Sequence, residues 1–289
     1  MLRYLFAAIL CSITTSAAAA EGIFGFAPPD GTRFVRTLTR TGRIEFGGMV
    51  RTETTVLKAA FVFRQVTSGY RLVMTPLSFR YVVNDHDVES PVWELIRKRK
   101  LQMHFNSVGK LTEMQGFEEV DEELARRRVD FSADSPAMYL DRFPIGEEER
   151  ANWNERILLW MSQPSRPGTH LEFDSSERGF TRERVRSHTT MQVVRTKKCG
   201  TRRCVVTHYT MVPDLTPMRQ RANEHANVDL IDTTASEELE QTIEPDTMLP
   251  HYERLAWKSR IATAASEENS RSHEASLVVT SEFEYSGNR

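Results

Sequence analysis

The chain has 289 residues and a formal net charge of −2, with 38 Lys and Arg residues against 40 Asp and Glu residues. This balance argues against a nucleic-acid binder, because such domains usually carry a basic surface. Hydrophobic residues make up 39% of the chain and charged residues 27%, which predicts a polar protein with a core of modest size.

The N-terminus has the pattern of a cleaved secretory signal peptide over residues 1–20. Arg3 supplies the positive charge, Tyr4–Ile13 is a short apolar stretch, and Ala18–Ala20 is a small-residue cleavage site. The apolar stretch is shorter than the about 20 residues that a membrane-spanning helix needs, so a retained anchor is the less favoured alternative. We expect cleavage near Ala20 and a periplasmic or secreted protein.

Strands dominate the first part of the chain after this segment. Apolar and polar residues alternate over Thr32–Thr41, Met49–Val66 and Tyr70–Val83, and glycines separate these stretches. Period-two alternation is typical of antiparallel strands with one solvated face.

A helical section is predicted for residues 85–165. Ser90-Pro91 marks one helix start, and apolar residues recur at helical spacing over Phe117–Phe131 and over Trp153–Met161. Two short strands, Leu101–Phe105 and Lys110–Thr112, interrupt these helices.

Strand patterns return in the last part of the chain, at His170–Ser175, Thr181–Val194 and Ser272–Tyr285. The segment from Pro213 to Pro250 is acidic and predicts a surface connection, with room for a short helix. A group of strands, a helical section and a second group of strands, in this order, predict the α+β class. We therefore expect one domain over residues 21–289, mainly antiparallel β, with the helices packed on a curved, half-barrel-like sheet.

The two cysteines that remain after cleavage, Cys199 and Cys204, are expected to form a disulfide. An even cysteine count fits an oxidising compartment, and strands are predicted on both sides of the pair. The spacing predicts a hairpin with a four-residue loop, Gly200–Arg203, in which Cys199 lies opposite Cys204. A metal site and a redox pair are the alternatives.

No catalytic, cofactor-binding or metal-binding residues are predicted. None of the eight histidines forms a zinc-binding pair on a helix, and the chain has no nucleophile elbow and no phosphate-binding glycine loop. Paired carboxylates for hydrolysis would be visible only in the folded protein.

A basic stripe is the one charged surface feature that the sequence predicts. Arg182, Arg184 and Arg186 occupy alternate positions of one predicted strand, so their side chains project from one face. The stripe predicts either an anion-binding surface, which would permit peripheral contact with a membrane, or an ordinary solvated sheet face.

The strands over Met49–Val83, the helices near Phe117–Phe131 and Trp153–Met161, and the late strands together resemble the periplasmic lipoprotein-carrier half-barrels of the LolA and LppX type. The resemblance is one of architecture, and no binding residue of that family maps onto this sequence. It implies a curved sheet whose concave face, covered by helices, holds an acyl chain.

Three functions follow as hypotheses. The first is a non-enzymatic exported protein that binds a lipid or another hydrophobic ligand, or assists envelope assembly. The second is an envelope module that contacts a protein partner and has no ligand cavity. The third is an envelope hydrolase whose active-site residues are distant in sequence.

Overall fold

The structure, a computed structural model, describes residues 22–46, 48–127, 150, 153–154, 158–178, 184–217, 219–220, 229–264 and 271–286. The predicted signal peptide lies outside these residues, so it stays a prediction. No helix in the described part of the chain has the length and apolar character needed to cross a membrane.

Long antiparallel strands form a single twelve-stranded sheet. In chain order they are β1 (Arg33–Phe46), β2 (Met49–Val66), β3 (Gly69–Val83), β4 (His86–Asp87), β5 (Leu101–Asn106), β6 (Leu111–Gln115), β7 (His170–Arg178), β8 (Arg184–Cys199), β9 (Arg202–Pro213), β10 (Asp229–Ile243), β11 (Pro250–Ala264) and β12 (Arg271–Tyr285). The spatial order is β6-β5-β3-β2-β1-β12-β11-β10-β9-β8-β7, and β4 pairs with β3. The first strand therefore pairs with the last one at the centre of the sheet.

The α+β prediction is wrong. Strands account for 66% of the described residues and helices for 11%, so the fold is mainly antiparallel β. The region predicted to be helical contains α1 (Pro91–Ile96), α2 (Phe117–Arg127) and a three-residue 3-10 turn at Leu158–Trp160, interrupted by strands β5 and β6. Most of the helix predicted around Trp153 lies outside the described residues.

Alternation along the strands gives the sheet two chemically different faces. Residues that pair across strands point to the same side, so Leu38, Leu57, Leu255 and Leu277 lie on one face, which we call the inner face. The opposite, outer face carries polar and charged residues, including the Arg260–Glu274 ion pair at 3.6 Å. This division is typical of antiparallel sheets with one solvated side.

Contacts of the N-terminal segment, residues 22–31, show that the sheet is strongly curved toward its inner face. The Gly25 amide donates to the Pro245 carbonyl, after β10, at 2.9 Å. The ring of the next residue, Phe26, lies 5.3 Å from that of Phe105 in β5. These strands are six steps apart in the sheet, roughly 29 Å if the sheet were flat. Gly25 and Phe26 are neighbours in the chain, so they can contact both Pro245 and Phe105 only because the sheet bends around them.

An aromatic core fills the concave side at one end of the sheet, which we call the base. Phe24 packs on Trp160 with ring centroids 5.1 Å apart, and Phe34 stacks on Phe61 at 5.0 Å. Each of these four side chains is less than 10% exposed. Burial of rings from the N-terminal segment, the sheet and the 3-10 turn fixes the base as one packed unit.

The acidic segment predicted as a surface connection is instead mainly strand β10, near the middle of the sheet. Ala235, Leu239 and Ile243 are buried on its inner face, and Glu237 and Gln241 are buried between them. Those two polar side chains in inward positions mask the period-two pattern of the strand.

Candidate functional site

The inner face changes character above the base, where it becomes an apolar surface that is only half-buried. Six inward side chains on the four central strands make up this surface, which we call the wall: Leu38, Leu57, Leu255, Trp257, Leu277 and Val279. Pairing places them side by side, with Leu38 opposite Leu57, Val279 opposite Leu255 and Leu277 opposite Trp257.

Part of the wall is not packed against the buried core. Leu57 and Leu255 contact core side chains, whereas Leu38, Leu277 and Val279 do not contact the core that the described residues form. Inward residues at the same level on the neighbouring strands β10, β9 and β8 are buried instead, for example Leu239, Tyr209 and Met191. The wall is thus an apolar surface on the concave side of the sheet that stays in partial contact with solvent.

Ionic groups on the inner face are joined in pairs around the wall. Arg36 lies 3.3 Å from Glu253, which also accepts a hydrogen bond from the Gln241 amide at 3.0 Å. Farther from the base, Arg51 and Glu53 form an ion pair at 2.8 Å. Burial, and then the negative charge of Glu53, raises the pKa of the neighbouring Tyr81, so its phenol stays protonated.

Arg40 is an exception among these inner-face charges. It lies within the wall, opposite Thr55 and Val279, and forms no ion pair with any residue that the structure describes. A half-buried guanidinium without an acidic partner favours an anionic group close to it.

A second polar cluster lies at the base of the sheet and centres on Glu244, whose side chain is only 4% exposed. Its carboxylate lies 2.9 Å from the His251 ring, and it accepts hydrogen bonds from Arg202 at 2.8 Å and from Thr247 at 3.1 Å. Burial alone would raise the pKa of Glu244, but the hydrogen bonds from His251 and Arg202 outweigh burial and hold it below its ordinary value.

The disulfide between Cys199 and Cys204 is confirmed, with Cα atoms 5.8 Å apart. The predicted hairpin register is wrong, because Cys199 pairs with Arg202 and Cys204 with Lys197. The loop therefore has two residues, Gly200 and Thr201, and Gly200 adopts the positive φ of 61° that such tight turns require. The bridge is diagonal across the hairpin.

No metal site was predicted, yet the disulfide lies beside His251, whose ring can bind a metal ion. The two sulfurs and one ring nitrogen of His251 all lie within 4.8 Å of one another. Glu244 and His251 were missed as site residues because Glu244 lies within the segment interpreted as a surface connection, Pro213–Pro250, and His251 follows it directly. We call Cys199, Cys204, Arg202, Glu244, Thr247 and His251 the base cluster.

The predicted basic stripe lies on the outer face of β8, the strand next to the edge strand β7, as far as it is described. Arg186 is exposed on the outer face, Arg184 is described in its backbone alone, and Arg182 lies outside the described residues. Next along the strand, exposed His188 lies 2.9 Å from Glu172 of β7 and 3.4 Å from Asp174. Acidic neighbours thus reduce the positive character of this face.

No protein family and no curated protein matches the sequence. Among solved structures, the chain has weak similarity to DynF from the dynemicin biosynthesis pathway of Micromonospora chersina, with 8% identity, a TM-score of 0.19 and coverage of 91% of this chain and 86% of that one. A similar level is found for OccK11 (OpdR) of Pseudomonas aeruginosa, with 7% identity, a TM-score of 0.20 and coverage of 92% and 98%.

Proposed function

We propose that the protein is an exported, non-enzymatic binder of an acyl-chain lipid, which lies against the wall on the inner face. The observation that carries this proposal is the half-buried state of Leu38, Leu277 and Val279 on the concave side of a curved sheet. When a ligand removes such apolar side chains from water, the free energy falls by about 25 cal/mol per Å² of buried apolar surface. An acyl chain supplies that surface without needing specific polar partners.

Arg40 supports a ligand with an acidic group at one end. The residues directly opposite Arg40, Thr55 and Val279, are neutral, so a carboxylate or phosphate placed there forms a charge-assisted hydrogen bond. An amphiphile with an acyl chain along the wall and its acidic group toward Arg40 satisfies both features.

The arrangement of ions favours binding over hydrolysis. Arg36 with Glu253 and Arg51 with Glu53 neutralise each other, and Tyr81 keeps its proton. A hydrolase needs a free base or nucleophile that converges with stabilising donors on one point. The four groups of these two ion pairs are engaged with each other instead.

Contact with an envelope component is the second candidate function. At the tip of the β1–β2 hairpin, Met49 is 70% exposed and Val50 46% exposed. Exposed apolar residues at a hairpin tip favour contact with a protein partner or with the surface of a membrane. This contact is compatible with lipid binding, because the tip lies at the end of the sheet opposite the base.

Native mass spectrometry tests the proposal. The full sequence would be expressed with export to an oxidising compartment, and the protein purified without detergent and analysed before and after lipid extraction. We expect a co-purified acyl lipid at close to one per chain, or uptake of added palmitate to that ratio. A clean ligand-free mass, with no uptake of palmitate or phospholipid, would reject lipid binding and favour the protein-contact function.

A further inference from the structure

We propose that the base cluster becomes a binding site for a thiophilic divalent cation, such as Zn²⁺, when the Cys199–Cys204 disulfide is reduced. This inference does not depend on the lipid-binding proposal, because the cluster and the wall are formed by different residues. It rests on the position of His251 beside the two sulfurs.

The ligand set is suited to zinc. Two thiolates and one imidazole are common zinc ligands, at distances of about 2.3 Å for sulfur and about 2.0 Å for nitrogen. In a tetrahedral site those distances place any two ligand atoms roughly 3.5 to 3.8 Å apart. The His251 nitrogen lies within 4.8 Å of both sulfurs, so it needs to approach by about 1 Å, while the sulfurs, about 2 Å apart when bonded, must separate by roughly 1.7 Å after reduction.

Glu244 supplies the supporting contact that such a histidine needs. Metal-binding imidazoles usually donate their second N–H to a carboxylate, which fixes the ring and increases its basicity. The Glu244 carboxylate lies 2.9 Å from Nε2 of His251, and Arg202 and Thr247 hold that carboxylate in place. In the tautomer whose Nε2–H donates to Glu244, the lone pair of Nδ1 is the one left for a metal.

The cluster is partly buried, with Cys204 inside the protein and the other two ligands, Cys199 and His251, half-buried. Cys204 is fully buried, the Glu244 side chain is 4% exposed and His251 is 21% exposed. Three protein ligands leave the fourth position of a tetrahedral ion for one water molecule. Soft sulfur ligands select Zn²⁺, Co²⁺ or Cd²⁺ over Mg²⁺ and Ca²⁺.

Reduction of the Cys199–Cys204 disulfide requires a reductant, and a dithiol supplies the electrons and protons. The dithiol transfers two electrons and two protons to the S–S bond and is itself oxidised to a disulfide, leaving two thiols on this chain. Each thiol then releases its proton as its sulfur binds the cation. In the oxidised protein the sulfurs are bonded to each other, so they are not available as thiolate ligands.

Cobalt binding tests the proposal. Protein reduced with a dithiol and separated from it under argon would be titrated with Co²⁺ and followed by thiolate-to-cobalt charge-transfer absorption, with oxidised protein in parallel. We expect one Co²⁺ per reduced chain, displaced by Zn²⁺, and none for the oxidised chain. His251→Gln should weaken binding at least tenfold, and Glu244→Gln by about tenfold.

Two variants serve as controls. His208→Gln alters a histidine on the same strand and face as Cys204, farther from the sulfurs, and should bind as the wild type does. The double variant Cys199→Ser, Cys204→Ser should bind no cobalt while keeping the β-sheet circular dichroism spectrum. The proposal is overturned if reduction unfolds the protein, if the folded reduced protein takes up no Co²⁺, or if His251→Gln binds with unchanged affinity.

Discussion

Replacing Phe26 by alanine is expected to lower the free energy of unfolding by about 4 kcal/mol. The Phe26 ring is one of two buried rings, with Phe24, by which the N-terminal segment joins the core of the base. Its centroid lies 5.2 Å from that of Tyr70, 5.3 Å from Phe105, 6.0 Å from Trp153 and 6.2 Å from Phe63. Truncation leaves a cavity among four rings held by three strands and a separate segment, which limits how far the site can collapse.

Urea unfolding followed by tryptophan fluorescence measures this effect, with stability taken from linear extrapolation. Ile23→Ala is the matched control, because Ile23 lies in the same segment and its side chain is 58% exposed. We expect the control to change stability by no more than about 0.5 kcal/mol. Equal, small effects of both substitutions would mean that the N-terminal segment is not part of the folded core.

The second large effect is expected from Gly69→Ala, which should destabilise the protein by about 4 kcal/mol through strain and overpacking together. Gly69 begins β3 with φ of +140°, a conformation that residues with a Cβ rarely adopt. A Cβ there would lie 2.2 Å from the Phe105 carbonyl oxygen and 2.6 Å from the Asn106 carbonyl carbon. Both are backbone atoms of β5, so relief requires the β3–β5 ladder to open.

Gly48→Ala separates the two contributions. Gly48 also has a positive φ, +82°, but a Cβ there meets no atom within 4 Å. Only backbone strain remains, so we expect a loss of about 1 kcal/mol. The same urea titrations compare the two variants. A Gly69→Ala protein as stable as Gly48→Ala would show that β3 and β5 do not approach as closely as described.

Local sequence patterns were sufficient for strands that carry a run of apolar residues at inward positions. The predicted bounds of β2, Met49–Val66, match the structure, and β12 begins one residue before its predicted start at Ser272. The inward positions of β2 carry an unbroken apolar run from Leu57 to Phe63, and those of β12 a run from Ala275 to Val279, so period-two alternation is visible there. The wall residues on these strands, Leu57, Leu277 and Val279, were therefore predictable as inward-facing.

Strands β10 and β11 were missed because their inner faces are mixed. Glu237 and Gln241 occupy inward positions of β10, and Glu253 and Ser259 do so in β11. These polar groups are accommodated by partners from other strands, such as Arg36 for Glu253, which no local pattern reveals. Alternate Leu255, Trp257 and Ile261 were the signal that could have identified β11.

The helical section was wrong for a related reason. Helical spacing over Phe117–Phe131 correctly marked α2, which the structure describes as Phe117–Arg127. The spacing identifies a single helix, however, and does not show that the rest of the chain is mostly strand. The curvature of the sheet is visible only in contacts between residues far apart in the chain, such as Gly25 with Pro245 and Phe26 with Phe105, and local sequence patterns do not reveal such contacts. The cysteine pairing was correct despite the wrong register, because a diagonal pair across a two-residue loop also brings the Cα atoms to 5.8 Å.

The central claim, that the wall binds an acyl chain, is tested most directly by two substitutions at adjacent positions of β12. Leu277 is part of the wall on the inner face, whereas Val278 lies on the outer face, and both are half-buried. Palmitate binding would be measured by isothermal titration calorimetry for Leu277→Glu, Val278→Glu and the wild type. We predict at least a tenfold loss of affinity for Leu277→Glu, because its carboxylate repels the ligand and must be desolvated, and less than a twofold change for Val278→Glu. Equal affinities in the two variants, or no palmitate binding by the wild type, would contradict the claim.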